Sequence, residues 1–248
     1  MDASECLQLV SHNKFNLSRQ LILNRHKRPL GSEIRILERQ SGLPVSAARL
    51  SRNKRACIYS EMLTRTQLSA LALEDPVRAQ EHSSTRRFVY IQQRDLADPA
   101  LIEKLVQGEK ALRNYRQTLV VTMPALPSRN IKLKSKKAII EHVYLMKDHG
   151  IEMALDNYSP LQETSEILTT LNLFDYIKIR CDSFEPSLKL NANPELFNQL
   201  YDLIISIKHR TRVSFIADNI EHTASHLLAT ALPFDYFQGS HYSDAGTV

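Results

Sequence analysis

Tryptophan is absent from the sequence, and glycine occurs only six times in 248 residues. The glycines form neither G-x-x-x-x-G-K-[ST] nor G-x-G-x-x-G, the two motifs whose backbone amides hold nucleotide phosphates. So few glycines leave little material for any other phosphate-binding loop. The sequence therefore gives no support for a P-loop enzyme or for a Rossmann-type dinucleotide-binding domain.

Cysteines and long apolar runs are also scarce. Cys6, Cys57 and Cys181 are far apart, odd in number and form no C-x-x-C pair, so their spacing predicts neither a disulfide framework nor a structural zinc site. No apolar run approaches the roughly 20 residues that span a bilayer, and the N-terminus is too polar for a signal peptide. These absences predict a protein of the reducing cytoplasm without a membrane partner.

The overall charge is basic, with a formal net charge of +5 and a pI near 9.1. Basic residues cluster at Arg25 to Arg28, Arg52 to Arg55 and Lys132 to Lys137, while acidic residues are scattered through the predicted helices. We expect each cluster to be a solvated turn or loop rather than one face of a recognition helix. Nucleic acid is therefore not the predicted partner.

A hydrophobic content of 43% in a chain of this length is enough for one substantial core, and α/β barrels of similar size are commonly single domains. We expect residues 1–17 to be a polar leader and residues 18–248 to form one domain. Leu21 to Leu23 and Glu33 to Leu37 flank the turn-like segment Lys27 to Gly31, which predicts a hairpin of two antiparallel strands.

After the hairpin, apolar residues alternate between strand-like and helix-like spacing. Asp98 and Pro99 form a helix start signal, because an N-cap aspartate precedes a proline at the first helical position. The segment Pro124 to Lys137 is predicted to be an exposed loop. The predicted strands are Phe88–Ile91 and Leu119–Thr122, and the predicted helices lie near residues 58–73, 98–113, 135–149, 161–171, 193–209 and 221–230.

Four short apolar strands in the C-terminal half end in polar residues. Short buried runs separated by helices are typical of parallel strands, and α/β barrels assemble their sites at the carboxyl ends of such strands. The pattern therefore predicts a barrel with a polar site at one mouth. The four strand ends are Ala154-Leu155-Asp156-Asn157, Asp175-Tyr176-Ile177-Lys178-Ile179-Arg180, Ala217-Asp218-Asn219-Ile220-Glu221 and Asp235-Tyr236-Phe237-Gln238-Gly239.

The order and content of these strand ends resemble the EAL family, which hydrolyses cyclic di-GMP. In sequence order, that family has an Ala-Leu-Asp-Asp strand end, an Asp-Tyr-Leu-Lys-Ile-Asp strand, an Ala-Glu-Gly-Val-Glu strand end and a closing Asp-Tyr-x-Gln-Gly. The resemblance covers roughly residues 19 to 243. It implies an α/β fold, a TIM-like (β/α) barrel of EAL type whose first strand is antiparallel to the others.

The resemblance also implies where a metal site would be. EAL enzymes hold two divalent cations, Mg²⁺ or Mn²⁺, with several carboxylates and an asparagine, because such cations need many oxygen ligands. Family ligand positions fall at Tyr90, Thr122, Asn157 and Arg180, none of which supplies a carboxylate here. Arg180 places a positive charge where an aspartate would face a dication. The sequence therefore predicts that no metal is bound.

The name motif of the family, Glu-x-Leu-x-Arg, aligns with Glu33 to Leu37, so its phosphate-binding arginine is lost. Arg35 lies on the same strand face, about 7 Å away, and is a partial substitute for it. Lys178 and Gln238 match family positions directly, and Asp218 is a shortened glutamate. The candidate site that remains at the barrel mouth consists of Glu33, Arg35, Asp156, Asn157, Lys178, Arg180, Asp218 and Gln238.

Two interpretations of this remnant stay open. The residues form a binding site, or they are inherited mouth residues that satisfy one another, for example through a Lys178–Asp156 or an Arg180–Asp218 ion pair. His222 and His226 are spaced for zinc on a predicted helix, but no third ligand and no H-E-x-x-H motif accompany them. No cofactor is predicted.

We expect a catalytically inactive EAL-like regulator, not an enzyme, that binds another protein in cytoplasmic bacterial signalling, such as the control of motility or biofilm formation. The alternative is a receptor that binds cyclic di-GMP without metal and without hydrolysis. The sequence does not identify the partner protein, and it leaves a homodimer open.

Overall fold

The computed structural model describes residues 15–38, 50–71, 85–124, 133–159, 172–183, 194–243 and 246–247. Most of the predicted leader, the predicted helix near 161–171 and residues 125–132 of the predicted loop lie outside these ranges. No helix among the described residues has the length and hydrophobicity needed to cross a membrane.

The elements alternate as the sequence pattern predicts. The strands are β1 (Phe15–Asn24), β2 (Pro29–Glu38), β3 (Arg86–Tyr90), β4 (Thr118–Pro124), β5 (Glu152–Asp156), β6 (Tyr176–Arg180), β7 (Ser214–Asp218), β8 (Tyr236–Gln238) and β9 (Gly246–Thr247). The α-helices are α1 (Arg52–Leu71), α2 (Pro99–Arg113), α3 (Leu133–Asp148), α4 (Pro194–Arg210) and α5 (Thr223–Ala231), and short 3-10 helices lie at Gln93–Ala97 and Cys181–Ser183.

The first eight strands close into a barrel. The strands β2 to β8 run parallel in chain order, and β1 pairs antiparallel with both β8 and β2, which closes the ring. The two-residue strand β9 adds to the outer end of β1. The predicted TIM-like barrel with its antiparallel first strand is therefore confirmed.

Strand pleating divides the core into two layers, because successive side chains of a strand point to opposite faces. A small cluster that includes Ile22, Phe88 and Ile216 fills the inside of the barrel. A larger cluster packs the outer strand faces against the helices. The inward face near the carboxyl ends of the strands carries polar residues instead. The barrel therefore has a polar mouth, and the small apolar cluster lies beneath it.

The structure confirms the predicted start of α2 and corrects two predictions for basic segments. Asp98 caps the helix by accepting a hydrogen bond from the Ala100 amide, and Pro99 occupies the first turn. The cluster Arg52 to Arg55 is not a loop but the first turn of α1, where Arg55 is buried in an ion pair with Asp95. Residues 133–137 likewise belong to α3.

The cysteine prediction also needs correction. Cys57 is disulfide-bonded, and Cys181 is a buried free thiol. The spacing of three distant cysteines cannot show which of them the fold brings together. Cysteine usage therefore gives no support for a reducing compartment.

Gly239, the last residue of the predicted Gln-Gly strand end, has a backbone conformation that only glycine adopts readily. Its φ is +154°, and a Cβ there would lie 2.1 Å from the Ile220 carbonyl oxygen. Neither the positive φ of Gly239 nor the contact with the Ile220 carbonyl can be relieved by a side-chain movement, because both involve the backbone. We expect Gly239→Ala to lower the free energy of unfolding by about 3 kcal/mol, measured by urea denaturation.

Gly108→Ala is the matched control for this prediction. A Cβ at Gly108 on α2 would meet the flexible end of Leu63 at 3.4 Å, and alanine is a better helix former than glycine by about 1 kcal/mol. The control is expected to be neutral or slightly stabilising. Equal stability of the two variants would contradict the account given for Gly239.

Candidate functional site at the barrel mouth

The predicted mouth residues come from five strands and converge at one end of the barrel. Glu33 and Arg35 alternate on the inward face of β2, while Asp156, Asp218 and Gln238 each end a strand, as does Arg180. A cavity of about 480 Å³ opens there. Its lining residues are Glu33, Ile34, Arg35, Ile36, Met62, Tyr90, Gln92, Pro124, Asp156, Asn157, Lys178, Arg180, Asp218 and Asn219.

Lys178 and Glu33 form a buried ion pair across the barrel. Lys178 Nζ lies 2.9 Å from both carboxylate oxygens of Glu33, and the two residues are 1% and 2% exposed. Gln238 is also buried and donates from Nε2 to Glu33 Oε2 at 3.0 Å. Lys178 Nζ is 3.5 Å from Asp218 Oδ2 as well. The floor of the cavity is therefore already bonded within the chain.

Arg35 joins the same two carboxylates from the other side. Its Nε donates to Glu33 Oε2 at 2.8 Å, and its Nη2 donates to Asp218 Oδ1 and Oδ2 at 2.7 and 2.8 Å. The backbone amide of Asn219 donates to Asp218 Oδ1. Such charge-assisted bonds are the strong class of protein hydrogen bond. Arg35 thus bonds to carboxylates of its own barrel, whereas the sequence favoured it as a phosphate contact.

The charges hold these four groups ionised. Burial by itself raises the pKa of Glu33 and of Asp218, but the cations of Lys178 and Arg35 outweigh it, so that both pKa values lie below their ordinary range. Burial lowers the pKa of Lys178, yet Asp218 and Glu33 reverse that effect and raise it. The network therefore consists of two carboxylates and two cations at neutral pH.

Asp156 differs from the other two mouth carboxylates. Within the described part of the chain its side chain makes no hydrogen bond and no ion pair, although it lines the cavity. Burial raises its pKa, and the charges of Asp218 and Glu33 act in the same direction against Lys178. Tyr90 lies near enough for the Asp156 charge to add to the effect of burial, which raises the pKa of the phenol to about 12.

The residues that follow two of the mouth aspartates share a backbone conformation. Asn157 has φ of +52° and Asn219 has φ of +60°, both in the left-handed region that asparagine tolerates better than most residues. Each of these residues directly follows an aspartate that ends a strand. The identity of Asn157 is thus explained at least in part by its backbone, and its side chain is exposed at the rim.

Arg180 lies at the rim of the mouth cavity and bonds to a carboxylate of its own segment. Its guanidinium binds Asp182 through Nε at 3.0 Å and Nη2 at 2.5 Å, and both side chains are more than two fifths exposed. Asp182 was not singled out in the sequence, although a carboxylate two residues after an arginine is within reach of it. The predicted Lys178–Asp156 and Arg180–Asp218 pairs are both wrong, because closer carboxylates, Glu33 and Asp182, satisfy the two cations.

A pair of divalent cations does not fit this arrangement. Among the residues that the structure describes, no three histidine, cysteine or carboxylate side chains are placed to hold a metal ion. Glu33 and Asp218 already accept bonds from Arg35 and Lys178. Of the two ligand positions predicted lost at β3 and β4, Tyr90 lines the cavity and Thr122 is fully buried.

The two histidines with zinc-like spacing have separate environments. His222 is exposed and precedes α5 as its N-cap residue. His226 Nδ1 lies 2.6 Å from the Tyr242 hydroxyl, and its ring stacks on His241 at 4.6 Å between centroids. His226 therefore forms an aromatic contact with the segment after β8.

No family model matches the sequence, and no curated protein matches it. Several solved structures of EAL proteins are similar to this chain. The EAL enzyme Bd1971, in a form with cAMP and cyclic di-GMP bound, gives a TM-score of 0.72 at 15% identity, over 99% of this chain and 65% of its own. The FimX EAL domain from Pseudomonas aeruginosa, bound to cyclic di-GMP, gives 0.68 at 18% identity, over 100% and 98%.

A third neighbour, the Bacillus subtilis YkuI protein with an EAL domain, in complex with cyclic di-GMP and calcium, gives a TM-score of 0.70 at 15% identity. That match covers 100% of this chain and 58% of YkuI, so this chain spans less than two thirds of the Bd1971 and YkuI chains. At such identities the likeness establishes an EAL-type barrel as the fold.

Proposed function

We propose that this chain is a catalytically inactive EAL-like regulatory protein that acts by binding another protein in bacterial signalling of the kind that controls motility or biofilm formation. One observation carries the inactive part of the proposal. Arg35 and Lys178 bind the carboxylates of Glu33 and Asp218 at 2.7 to 2.9 Å, so the chain supplies the positive charge that metal ions would otherwise bring.

The chemistry of phosphodiester hydrolysis supports the same conclusion. Mg²⁺ demands near-octahedral oxygen coordination, and two-metal hydrolysis needs ligands for both ions. In the mouth, Asp156 is the one carboxylate without a bond to a described residue, and a single carboxylate supplies at most two oxygens. The phosphate-binding arginine position of the EAL motif is Leu37.

The second part of the proposal is that the outer surface of the intact barrel binds a protein partner. A fold can persist as a binding surface after its site has lost catalysis. The outer helices provide anchors of the kind that interfaces use, since Ile140 and Tyr144, one turn apart on α3, are 41% and 54% exposed. A second copy of the chain is a further candidate partner. A cytoplasmic location belongs to the same proposal.

The test of partner binding is capture from a bacterial lysate with the purified chain, followed by affinity measurement with the recovered protein. We expect Glu33→Ala and Asp156→Ala to leave the dissociation constant unchanged, because the contact lies outside the cavity. We expect an outer-face substitution such as Tyr144→Ala to weaken it by roughly tenfold or more. The exposed Tyr201→Ala on α4 is the matched control for general surface effects.

The alternative function is a metal-independent receptor for cyclic di-GMP. The mouth cavity and the retained Lys178 and Gln238 favour it, and the solved neighbours named above include proteins bound to this dinucleotide. Arg35 and Lys178 are already bonded to carboxylates, however, which leaves little free positive charge for phosphates. If cyclic di-GMP is the only specific ligand recovered, and Glu33→Ala abolishes its binding with or without Mg²⁺, the receptor function replaces the one proposed.

A further inference from the structure

Among the described residues of the barrel mouth, one carboxylate, that of Asp156, forms no ion pair. Three cations line the cavity there, and each is bonded to a carboxylate: Arg35 to Glu33 and Asp218, Lys178 to Glu33, and Arg180 to Asp182. Those three carboxylates balance the three cations. Asp156 is the fourth carboxylate of this group, and its side chain has no hydrogen bond or ion pair with any described residue.

The surroundings of Asp156 are suited to an organic cation. Tyr90 lines the same cavity and is within electrostatic range of the carboxylate. Pro124 also lines the cavity and offers apolar surface. A carboxylate beside an aromatic ring and apolar walls is the combination that binds a cation carried on an aliphatic stem.

Other ligand classes fit less well. A divalent metal would need more oxygen ligands than Asp156 can give, and no three-ligand cluster exists within the described ranges. An anion would find the cations of the cavity already bonded to carboxylates. The unpaired carboxylate of Asp156 would repel it. A monocation with hydrogen-bond donors would balance the charge of Asp156 and donate hydrogen bonds to its carboxylate oxygens.

The geometry points to a binding site for a small organic monocation, an alkylguanidinium or alkylammonium, whose charged group bonds to Asp156 and whose aliphatic stem lies against Tyr90 and Pro124. The site lies inside the cavity, and the proposed protein interface lies outside it. The proposal of a cation site and the proposal of a protein interface can therefore be contradicted independently of each other.

Arg180 is the internal competitor for this site. It is close enough to Asp156 for the carboxylate to help raise its pKa, after the larger effect of its bond to Asp182. Asp182 holds the guanidinium at the rim. Loss of the bond to Asp182 would weaken the retention of Arg180 at the rim and favour its turning towards Asp156, where it would displace a bound cation, so Asp182 acts as a positioning residue.

The experiment is isothermal titration of the full chain with N-butylguanidinium and with n-butylammonium, using the neutral isostere N-butylurea as the ligand control. We expect saturable one-site binding of at least one cation and binding of the urea weaker by tenfold or more. Asp156→Asn, which keeps size and shape, should weaken cation binding by roughly tenfold to a hundredfold, since a charged partner is lost. Asp148→Asn, an exposed carboxylate on α3, should have no effect.

Two further arms test the role of Arg180 and the source of the cation. Asp182→Asn should weaken binding, and adding Arg180→Gln to it should restore the affinity, an outcome that a merely structural role of Asp182 would not give. A blocked arginine tripeptide should bind no more tightly than N-butylguanidinium. Binding that is unaffected by Asp156→Asn, binding of the urea equal to that of the cations, tighter binding of the peptide, or no saturable binding of either cation would each overturn the assignment.

Discussion

Replacing Lys178 with methionine is expected to lower the free energy of unfolding by about 3 to 5 kcal/mol. The substitution keeps the length of the side chain and removes the charge. It leaves Glu33, 2% exposed, and Asp218, 5% exposed, with Arg35 as their shared cation. An uncompensated buried charge is expensive, whereas the packing of the aliphatic stem is largely kept. Urea denaturation monitored by circular dichroism measures the loss.

The control is the same change at a lysine in an exposed pair. Lys137 lies 3.7 Å from Glu141, and the two side chains are 81% and 63% exposed. Lys137→Met should change the stability by less than about 0.5 kcal/mol, because exposed ion pairs contribute little. A Lys178→Met variant within about 1 kcal/mol of the unmodified protein would show that the buried pair is not formed in solution.

A double variant tests whether Lys178 acts through Glu33. Glu33→Leu with Lys178→Met removes both charges of the pair and leaves Arg35 bound to Asp218 through two hydrogen bonds. We expect the double variant to be more stable than Lys178→Met alone, with a coupling energy above about 1.5 kcal/mol. Strictly additive effects of the two substitutions would contradict the pairing.

The second large effect concerns catalysis. The purified chain is expected to show no hydrolysis of cyclic di-GMP with Mg²⁺ or Mn²⁺, under conditions in which an active EAL phosphodiesterase consumes its substrate completely. The reason is the missing coordination described above, together with the cations that already bind Glu33 and Asp218. Product formation followed by chromatography provides the measurement.

Two variants make this negative result informative. Turnover that disappears in Glu33→Ala would show that a working metal site exists and that the alignment of the ligands is wrong. Arg35→Leu with Leu37→Arg restores the Glu-x-Leu-x-Arg pattern, yet it should remain inactive, because Tyr90, Thr122 and Arg180 still occupy ligand positions. Activity in that variant would mean that the residues at positions 35 and 37 together are sufficient to block catalysis.

Local sequence patterns were sufficient to place most of the strands and helices. The period-two hairpin, the Asp98 and Pro99 start of α2 and the strand ends from Asp156 to Gly239 each depend on neighbours in the chain, so they can be recognised without tertiary information. The resemblance to the EAL family then ordered these pieces into a barrel. Where a local signal was weak, as at the first turn of α1, the prediction of a loop for Arg52 to Arg55 was wrong.

The sequence alone determined which residues meet at the mouth, because residues at the carboxyl ends of parallel strands share one end of a barrel. Which of them bond to one another was decided by the tertiary structure. Glu33 and Lys178 are 145 positions apart, and Glu33 faces Lys178 only because the barrel closes and brings β2 opposite β6. Arg35 binds Asp218 across 183 positions for the same reason. Within the described residues, Asp156 has no hydrogen bond or ion pair, because the mouth cations have bonded to other carboxylates.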